Sequence, residues 1–248
     1  MSYRTGPKIV TDGLVLCLDA ADRNSYAGSG STWYDLSGQG NNATMVGTTY
    51  NASPPSNFTF FGNAATSYHY ISNQSFIQDT SFSVSLWVRT TDSSRAGGSI
   101  GSEGRVPAST HDHNGNGTNN HTGWTIGTIW QGTYFDFRVY DGLGNATTAS
   151  STETNWYNTY LNKWTNIAGV FKSGDYVAFY QDGQLISQQS TTITTMSNHN
   201  DALYIGRRSD ESQSPWLGNI SSCSYFSRWL NDNEILQNYN ALKGRFGL

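Results

Sequence analysis

The sequence predicts an all-β fold in which two antiparallel sheets pack face to face as a jelly-roll sandwich, with a short C-terminal helix. Short runs of alternating apolar and polar residues recur along the chain, and only the last segment has a helical pattern. The 248 residues include 26 glycines, so many turns are expected. The composition has no break, and sandwiches of this length commonly form a single domain.

The strands are predicted from short apolar runs. Leu14 to Leu18 is a continuous run, which indicates a buried strand. Phe82, Val84, Leu86 and Val88 alternate with other residues, so they share one face that should point into the core. Five further strands follow from similar patterns: Tyr134 to Tyr140, Ile167 to Phe171, Tyr176 to Tyr180, Leu203 to Ile205 and Ile220 to Phe226.

Local signals predict a hairpin and the helix. Asp182-Gly183 between two strand patterns is typical of a type I′ turn, because both turn residues need positive φ. Asn231 can cap a helix over about 231–243, and Glu234 can complete the capping box. Residues 1–12 have no periodicity and are interpreted as an N-terminal arm, followed by one domain over residues 13–248.

Composition excludes several partners. Charged residues make up 13% of the chain, the formal net charge is −4, and no basic stripe is visible, so no nucleic-acid partner is expected. No run is apolar and long enough to span a bilayer, so no membrane partner is expected either. Met1 to Asp12 lacks the apolar core of a signal peptide. Cys17 and Cys223 match no metal motif, and we interpret them as free thiols in a reducing compartment.

The carboxylates argue against an enzyme. Glycoside hydrolases need two carboxylates that flank the scissile bond. The only glutamates, Glu103, Glu153, Glu211 and Glu234, are far apart in sequence, and no closely spaced acidic motif is present. We therefore expect no catalytic residue.

Two segments are candidate ion sites. Asp112, Asn114 and Asn116 are spaced like the start of a calcium loop, but Gly123 replaces the closing glutamate. The neighbouring His111, His113 and His121 are alternative ligands for a transition metal, and a polar loop without metal is the other interpretation.

The second ion candidate is a glycine-rich turn. Asp35, Asn41 and Asn42 offer carboxylate and amide oxygens that suit a structural calcium ion. The alternative is a purely structural turn, in which the Asp35 carboxylate accepts hydrogen bonds from nearby backbone N–H groups.

Four aromatic residues are candidates for glycan contact. Trp130, Trp156, Tyr157 and Trp216 lie in or beside segments that resemble loops. Their ring faces could stack on the C–H groups of a sugar, or they could pack at the rim or against a partner protein.

Several segments resemble laminin-G-like domains of the concanavalin A-like superfamily, from about residue 13 to the end. The resemblance rests on Gly13 to Leu16, Thr32 to Asn42, Phe82 to Val88, Lys163 to Ile167, Tyr180 to Gly183, Ile205-Gly206 and Leu217 to Ile220. It implies that the first and last strands lie side by side, so that Cys17 and Cys223 are neighbours without a bond. Cys17 stands where the family usually has an aromatic residue, and Gly62-Asn63 follows Phe61 where an acidic motif is usual.

The tail from Asn233 to Phe246 resembles the ending of a subgroup that is common in structural proteins of tailed bacteriophages. This resemblance implies a virion structural protein that decorates the capsid or belongs to the tail or a fibre, assembled in the host cytoplasm. Its partners would be other virion proteins, in many copies, and cell-surface glycans. The arm Met1 to Asp12 is expected to dock on the particle. A stand-alone carbohydrate-binding lectin is the alternative, and a glycoside hydrolase comes third.

Overall fold

The computed structural model describes residues 8–73, 75–77, 80–94, 104–113, 121–128, 134–153, 155–196, 202–209 and 214–248. In chain order its strands are β1 (Leu14–Asp19), β2 (Thr32–Trp33), β3 (Ala43–Val46), β4 (Thr49–Asn51), β5 (Asn57–Phe61), β6 (Tyr68–Ile71), β7 (Phe82–Thr90), β8 (Arg105–Ser109), β9 (Asp112–His113), β10 (His121–Thr128), β11 (Asp136–Asp141), β12 (Ala146–Ser150), β13 (Thr165–Lys172), β14 (Tyr176–Gln181), β15 (Gln184–Ser190), β16 (Leu203–Ile205) and β17 (Leu217–Phe226). The helices are α1 (Trp156–Tyr160) and α2 (Asp232–Leu242), and a 3-10 turn, Lys243–Phe246, follows α2.

The strands form two antiparallel sheets. Within the described ranges, the first sheet has eight strands in the order β15–β14–β13–β7–β17–β5–β4, with β1 also paired to β17. The second has nine, in the order β12–β11–β10–β8–β16–β6–β3–β2, with β9 also paired to β10. The predicted all-β sandwich is therefore confirmed. Neither α1 nor α2 is both long and apolar enough to cross a membrane.

The core lies between the two sheets. Phe82, Val84, Leu86 and Val88 of β7 are fully buried there, as predicted from their alternation. The hairpin between β14 and β15 also forms as predicted, with φ of 49° at Asp182 and 78° at Gly183.

A second, smaller core lies on the outer face of the first sheet. Helix α2 begins with the predicted capping box between Asn231 and Glu234, and its Ile235 packs on this face. After the helix, the Phe246 ring stacks on the Trp87 ring, with 3.9 Å between centroids and 10° between planes. The tail that resembles phage proteins thus covers the outer face of the first sheet.

The arm is partly a structural element. Val10 is buried in this second core, and its backbone N–H donates to Asn238 Oδ1 at 2.8 Å. The Lys8 carbonyl accepts a hydrogen bond from the Gln237 side chain at 2.7 Å. From Lys8 onwards the segment interpreted as an arm therefore packs on the domain, because an apolar side chain and a backbone donor find partners on α2. Residues 1–7 lie outside the described ranges.

The two cysteines lie on neighbouring strands, as the resemblance implied. β1 pairs with β17, and Leu18 is directly opposite Cys223. Leu16 and Leu18 point into the main core together with Cys223, so Cys17 points to the other face of the sheet. Both thiols are free and buried, and opposite faces prevent a bond between them.

Candidate functional site

The outer faces of the two sheets differ. The first is covered by α2, the 3-10 turn and residues 8–12, whereas the second carries polar and aromatic side chains. On the second sheet, directly paired residues form a continuous row across eight strands, and such residues share one face. From β12 to β2 the row is Thr148, Arg138, Thr125, Ser109, Tyr204, Tyr70, Thr44 and Thr32.

Tyr204 and Tyr70 belong to the accessible half of this row, and Tyr68 shares their face because it precedes Tyr70 by two residues on β6. We call Tyr68, Tyr70 and Tyr204 the tyrosine face. Tyr204 on β16 is directly opposite Tyr70 on β6, and their rings are stacked with centroids 6.0 Å apart. The Tyr68 and Tyr204 centroids are 5.8 Å apart. All three side chains are half-buried, and Thr44 beside Tyr70 is exposed. The result is a platform of ring surface on a rigid sheet.

Arg207 holds the rings of the tyrosine face in place. Its Cζ atom lies 3.8 Å from the Tyr68 ring centroid and 4.3 Å from that of Tyr204, which is cation–π geometry. Its Nη1 donates to the Ala64 carbonyl at 2.7 Å. Because Arg207 is almost fully buried, its charge supports the rings from below and is not itself exposed.

The phenol groups of the tyrosine face are available to a ligand. None of the three hydroxyls makes a hydrogen bond to another residue in the part of the chain that the structure describes. Each can donate and accept a hydrogen bond. The face therefore offers ring surface for apolar groups and hydroxyls for polar ones, a combination that suits a sugar or the side chains of a partner protein.

The other half of the row is buried. Ser109 and Thr125 have almost no exposed surface, although they lie on the same face as the tyrosines. Next to them Arg138 and Asp136 on β11 form an ion pair within the strand, with 3.4 Å between Nη2 and Oδ2. Burial raises the pKa of Asp136, and the Ser150 and Arg138 side chains partly oppose this effect.

Two histidines extend this buried polar half. The rings of His111 and His121 are stacked with centroids 4.8 Å apart, and Tyr140 lies 4.7 Å from His111. Arg208 Nη2 lies 3.1 Å from His111 Nδ1. Among the described residues, no group of three or more histidine, cysteine, aspartate or glutamate side chains has a metal-site arrangement.

The aromatic residues expected to contact glycans lie elsewhere. Trp156, Tyr157 and Trp216 belong to the main core and expose almost no surface, so they cannot stack on a ligand. This corrects the expectation drawn from their loop-like surroundings. Trp156 is retained in the core because Gln181 Oε1 accepts its indole N–H at 2.9 Å. Trp130 lies outside the described ranges.

The Asp35 turn does not fit a calcium site. Asp35 Oδ1 accepts from the backbone N–H groups of Cys17 and Ser37, at 2.8 and 2.9 Å. Its Oδ2 accepts from Ser37 Oγ at 2.7 Å and from the Asn41 N–H at 3.0 Å. With both carboxylate oxygens engaged twice, a cation would have to displace donors that shape the turn. The geometry matches the alternative of a structural turn.

Asn41 has a structural part in the same turn. Its Nδ2 donates to the Val15 carbonyl at 2.7 Å, and its Oδ1 accepts from Asn73 Nδ2 at 2.6 Å. Both side-chain groups thus have protein partners, so the oxygen that calcium would need is already in use.

The second ion candidate is described only in part. Asp112 lies in the short strand β9, which pairs with β10. Its side chain, Asn114 and Asn116 lie outside what the structure describes. Calcium or a transition metal in this segment stays a prediction.

The two described glutamates have structural partners, and the two aspartates of β11 are too far apart for a catalytic pair. Glu234 caps α2 and binds Arg228 at 2.6 Å, and Glu153 lies near Thr159. Asp136 and Asp141 stand at opposite ends of β11, roughly 17 Å apart along the strand. Paired carboxylates of glycoside hydrolases are about 5–10 Å apart. The other two glutamates, Glu103 and Glu211, lie outside the described ranges.

Sequence reasoning missed the tyrosine face, although a signal was present. Tyr68-His69-Tyr70 alternates, so the two tyrosines had to share one face. The ordinary expectation places the aromatic residues inside and the histidine outside. The structure has the reverse, because His69 is fully buried beside Trp33, Phe58 and Phe60.

Comparisons with known proteins agree with this fold. The binding domain of Paraclostridial Mosquitocidal Protein 1 superposes with a TM-score of 0.70 at 16% identity, over 93% of this chain and 52% of that chain. The binding domain of Botulinum neurotoxin DC in complex with rat synaptotagmin II gives 0.67 at 18% identity, over 94% and 52%. The same domain in complex with SialylT gives 0.64 at 19% identity, over 94% and 52%.

These likenesses concern the fold. The chain spans about half the length of the structures it matches, 52% of each of these three. A comparison with curated protein sequences gives no match. Residues 61–236 match the family model of laminin-G-like domains described as the concanavalin A-like lectin/glucanases superfamily, and the chain belongs to this family.

Proposed function

We propose that this chain is a non-catalytic recognition domain that binds glycans on its tyrosine face. The observation that carries the proposal is the platform of three half-exposed tyrosines on one outer sheet face, with hydroxyls that have no partner among the described residues. A toxin binding domain that shares the fold supports recognition, since the binding domain of Botulinum neurotoxin DC is in complex with SialylT in one structure and with rat synaptotagmin II in another.

The platform suits a glycan better than an apolar partner surface. Its rings carry phenol hydroxyls and are flanked by Thr44, so apolar and hydrogen-bonding groups lie within a short distance of each other. Sugar rings present a similar combination of C–H faces and hydroxyls. Neighbouring strands are about 4.8 Å apart, so Tyr204, Tyr70 and Thr44 span about 10 Å, the length of two sugar units.

A non-catalytic role is supported by the carboxylates. Of the described glutamates, Glu234 is held by Arg228 and Glu153 lies near Thr159. The two aspartates of β11 stand roughly 17 Å apart along the strand, farther than an acid and a nucleophile. Incubation with polysaccharides should therefore release no new reducing ends, and a rate abolished by a change at Asp136 would contradict this part of the proposal.

The glycan proposal is tested by binding to a glycan panel. Tyr204→Ala should weaken binding by about tenfold, because it removes a stacking surface worth on the order of 1.4 kcal/mol. Tyr204→Phe keeps the ring and should lose less, which separates stacking from hydrogen bonding. Tyr176→Ala is the matched control, since Tyr176 is half-buried on the first sheet. Equal binding by Tyr204→Ala and wild type, or no binding to any glycan, would overturn the proposal.

We also propose that the domain is displayed on a tailed bacteriophage particle. The support is the resemblance of Asn233 to Phe246 to the ending of phage structural proteins. Because residues from Lys8 onwards pack on α2, attachment to other virion proteins is assigned to the part of the arm before Lys8.

Virion display is tested with purified particles. The protein should be present in many copies, and deletion of residues 1–7 should prevent its incorporation while leaving the melting temperature unchanged. Absence of the protein from purified particles would contradict virion display. Full incorporation of the deletion variant would contradict the proposed attachment site.

A further inference from the structure

A second concave site lies at one end of the sandwich and shares no lining residue with the tyrosine face. It is a pocket of about 340 Å³ lined by Val15, Gln39, Asn41, Asn73, Ser75, Phe76 and Ser227. The pocket opens where β1 begins, β17 ends, β6 ends and β3 begins. We call it the rim pocket.

The volume of the rim pocket suits a small ligand. Sites for small molecules in proteins usually measure about 300–1,000 Å³. The rim pocket, at about 340 Å³, lies at the lower end of this range and has room for one or two sugar rings.

The described walls of the rim pocket carry no charge. Among the lining residues in the described ranges, none is Asp, Glu, Lys, Arg or His. A charged ligand would lose hydration in such a pocket without gaining an opposite charge. The lining therefore favours a neutral ligand and disfavours carboxylated or sulfated sugars.

Two amides of the rim pocket are held in fixed positions. Asn41 Nδ2 donates to the Val15 carbonyl at 2.7 Å, and Asn73 Nδ2 donates to Asn41 Oδ1 at 2.6 Å. Asn73 Oδ1 accepts from Ser75 Oγ at 2.8 Å. Each amide nitrogen carries two N–H groups, so each keeps one donor beyond these bonds. Fixed donors lower the entropic cost of binding.

One amide of the rim pocket is unconstrained. Gln39 is exposed, and its side chain makes no hydrogen bond to another residue in the described ranges. An amide pairs well with two neighbouring hydroxyls, because it offers a donor and an acceptor side by side. Val15 and Phe76 add apolar surface beside these groups. Vicinal hydroxyls next to C–H groups are the chemistry of a neutral pyranose.

We propose that the rim pocket binds one neutral sugar ring, independently of the tyrosine face. The glycine-rich Asp35 turn, a candidate calcium site in the sequence, then has another purpose. The hydrogen bonds of Asp35 to Cys17 and Asn41 fix the turn that carries the Gln39 and Asn41 walls of the pocket.

The proposal is tested by nuclear magnetic resonance of the intact chain. Glucose, galactose, mannose and N-acetylglucosamine are added singly, and the side-chain amide signals of Gln39, Asn41 and Asn73 are followed. At least one neutral sugar should shift these signals with a Kd on the order of 1 mM, as expected for a ligand of this size. N-acetylneuraminic acid should leave them unchanged.

Variants separate the rim pocket from the tyrosine face. Ser75 is exposed, so Ser75→Tyr should fill the pocket without unfolding the chain and abolish the shifts, whereas Ser75→Ala should keep them. Ser53→Tyr is the matched control at an exposed serine elsewhere. Tyr204→Ala should leave the pocket signals responsive to the sugar, whatever its effect on glycan panels.

Two results would overturn the rim-pocket proposal. One is the absence of shifts with every neutral sugar at concentrations far above millimolar. The other is shifts that persist in Ser75→Tyr with its melting temperature unchanged. If Tyr204→Ala loses binding to the glycan panel while no neutral sugar shifts the side-chain amides of the rim pocket, the tyrosine face is supported and only the rim-pocket proposal is refuted.

Discussion

Removal of the Phe246 side chain should destabilise the domain measurably, although this residue is only two positions from the C-terminus. Its ring stacks on Trp87 at 3.9 Å between centroids and lies 5.0 Å from the Trp164 ring. Trp87 is 1% exposed and shares the outer face of the first sheet with α2. Phe246→Ala therefore removes one aromatic ring and exposes the face of another.

The size of the effect follows from these contacts. Phe246 is half-buried, so about half of the 1.5–3 kcal/mol gained by full burial of such a side chain is lost. The stacked pair adds about 0.5–1.5 kcal/mol beyond burial. The sum is about 1–3 kcal/mol, which for a chain of this length lowers the melting temperature by about 2–12 °C.

Urea unfolding followed by tryptophan fluorescence measures this change. The midpoint should fall with little change in the slope m, because the exposed surface on unfolding is nearly the same. Leu248→Ala is the matched control, since Leu248 is 54% exposed and its change should stay within about 0.5 kcal/mol. A Phe246→Ala variant as stable as wild type would show that packing of the tail on the outer face of the first sheet does not stabilise the domain.

Three further predictions concern pH, metal and thiols. Burial lowers the pKa of His69 to about 3, so the folded state leaves it neutral, while the unfolded state takes up a proton below about pH 6.5. The contribution of buried His69 to the free energy of unfolding is therefore complete above pH 6.5, and it is lost by up to about 1.4 kcal/mol per pH unit as pH falls toward 3. The free energy of unfolding of His69→Leu should therefore depend less on pH between 6.5 and 5 than that of wild type. Equal slopes for the two proteins would refute this assignment. Because no cation is expected at Asp35, excess chelator should not lower the melting temperature through this site. A chelator-induced decrease in the melting temperature of wild type that is absent in Asp35→Asn would reveal a cation there. Both Cys17 and Cys223 should react with a thiol reagent in denaturant without reductant. In the native state they should react slowly, because both are buried and burial raises the pKa of Cys17 to about 11. A quantitative disulfide would contradict the opposite-face geometry.

The sheets and the helix were predictable because their signals are local. Three features are specified by residues that are close in sequence: the alternation from Phe82 to Val88, the Asp182-Gly183 turn and the Asn231–Glu234 capping box. Each can therefore be predicted without knowledge of tertiary contacts. The packing of Val10 on Asn238 was not predictable, since the two residues are far apart in sequence and the arm has no periodic pattern.

The candidate site was less predictable, because exposure depends on long-range contacts. Trp156 and Trp216 resemble loop residues in sequence, but the sandwich folds over them and leaves no ring surface free. His69 illustrates the opposite case. A polar ring is buried among aromatic residues, with its Nε2 atom 2.7 Å from Thr48 Oγ1, and this burial turns Tyr68 and Tyr70 outward. The alternation of Tyr68, His69 and Tyr70 shows only that the two tyrosines share a face, and which face points outward is decided by contacts far away in sequence.

The most direct test of the account locates a bound glycan on the folded chain. A glycan that binds in the panel assay is titrated into isotopically labelled protein, and the shifted backbone amides are mapped onto the structure. The account predicts that the largest shifts cluster on β6 and β16, at Tyr68, Tyr70 and Tyr204. Shifts confined to the outer face of the first sheet, around α2, would contradict the proposal that the tyrosine face is the binding surface.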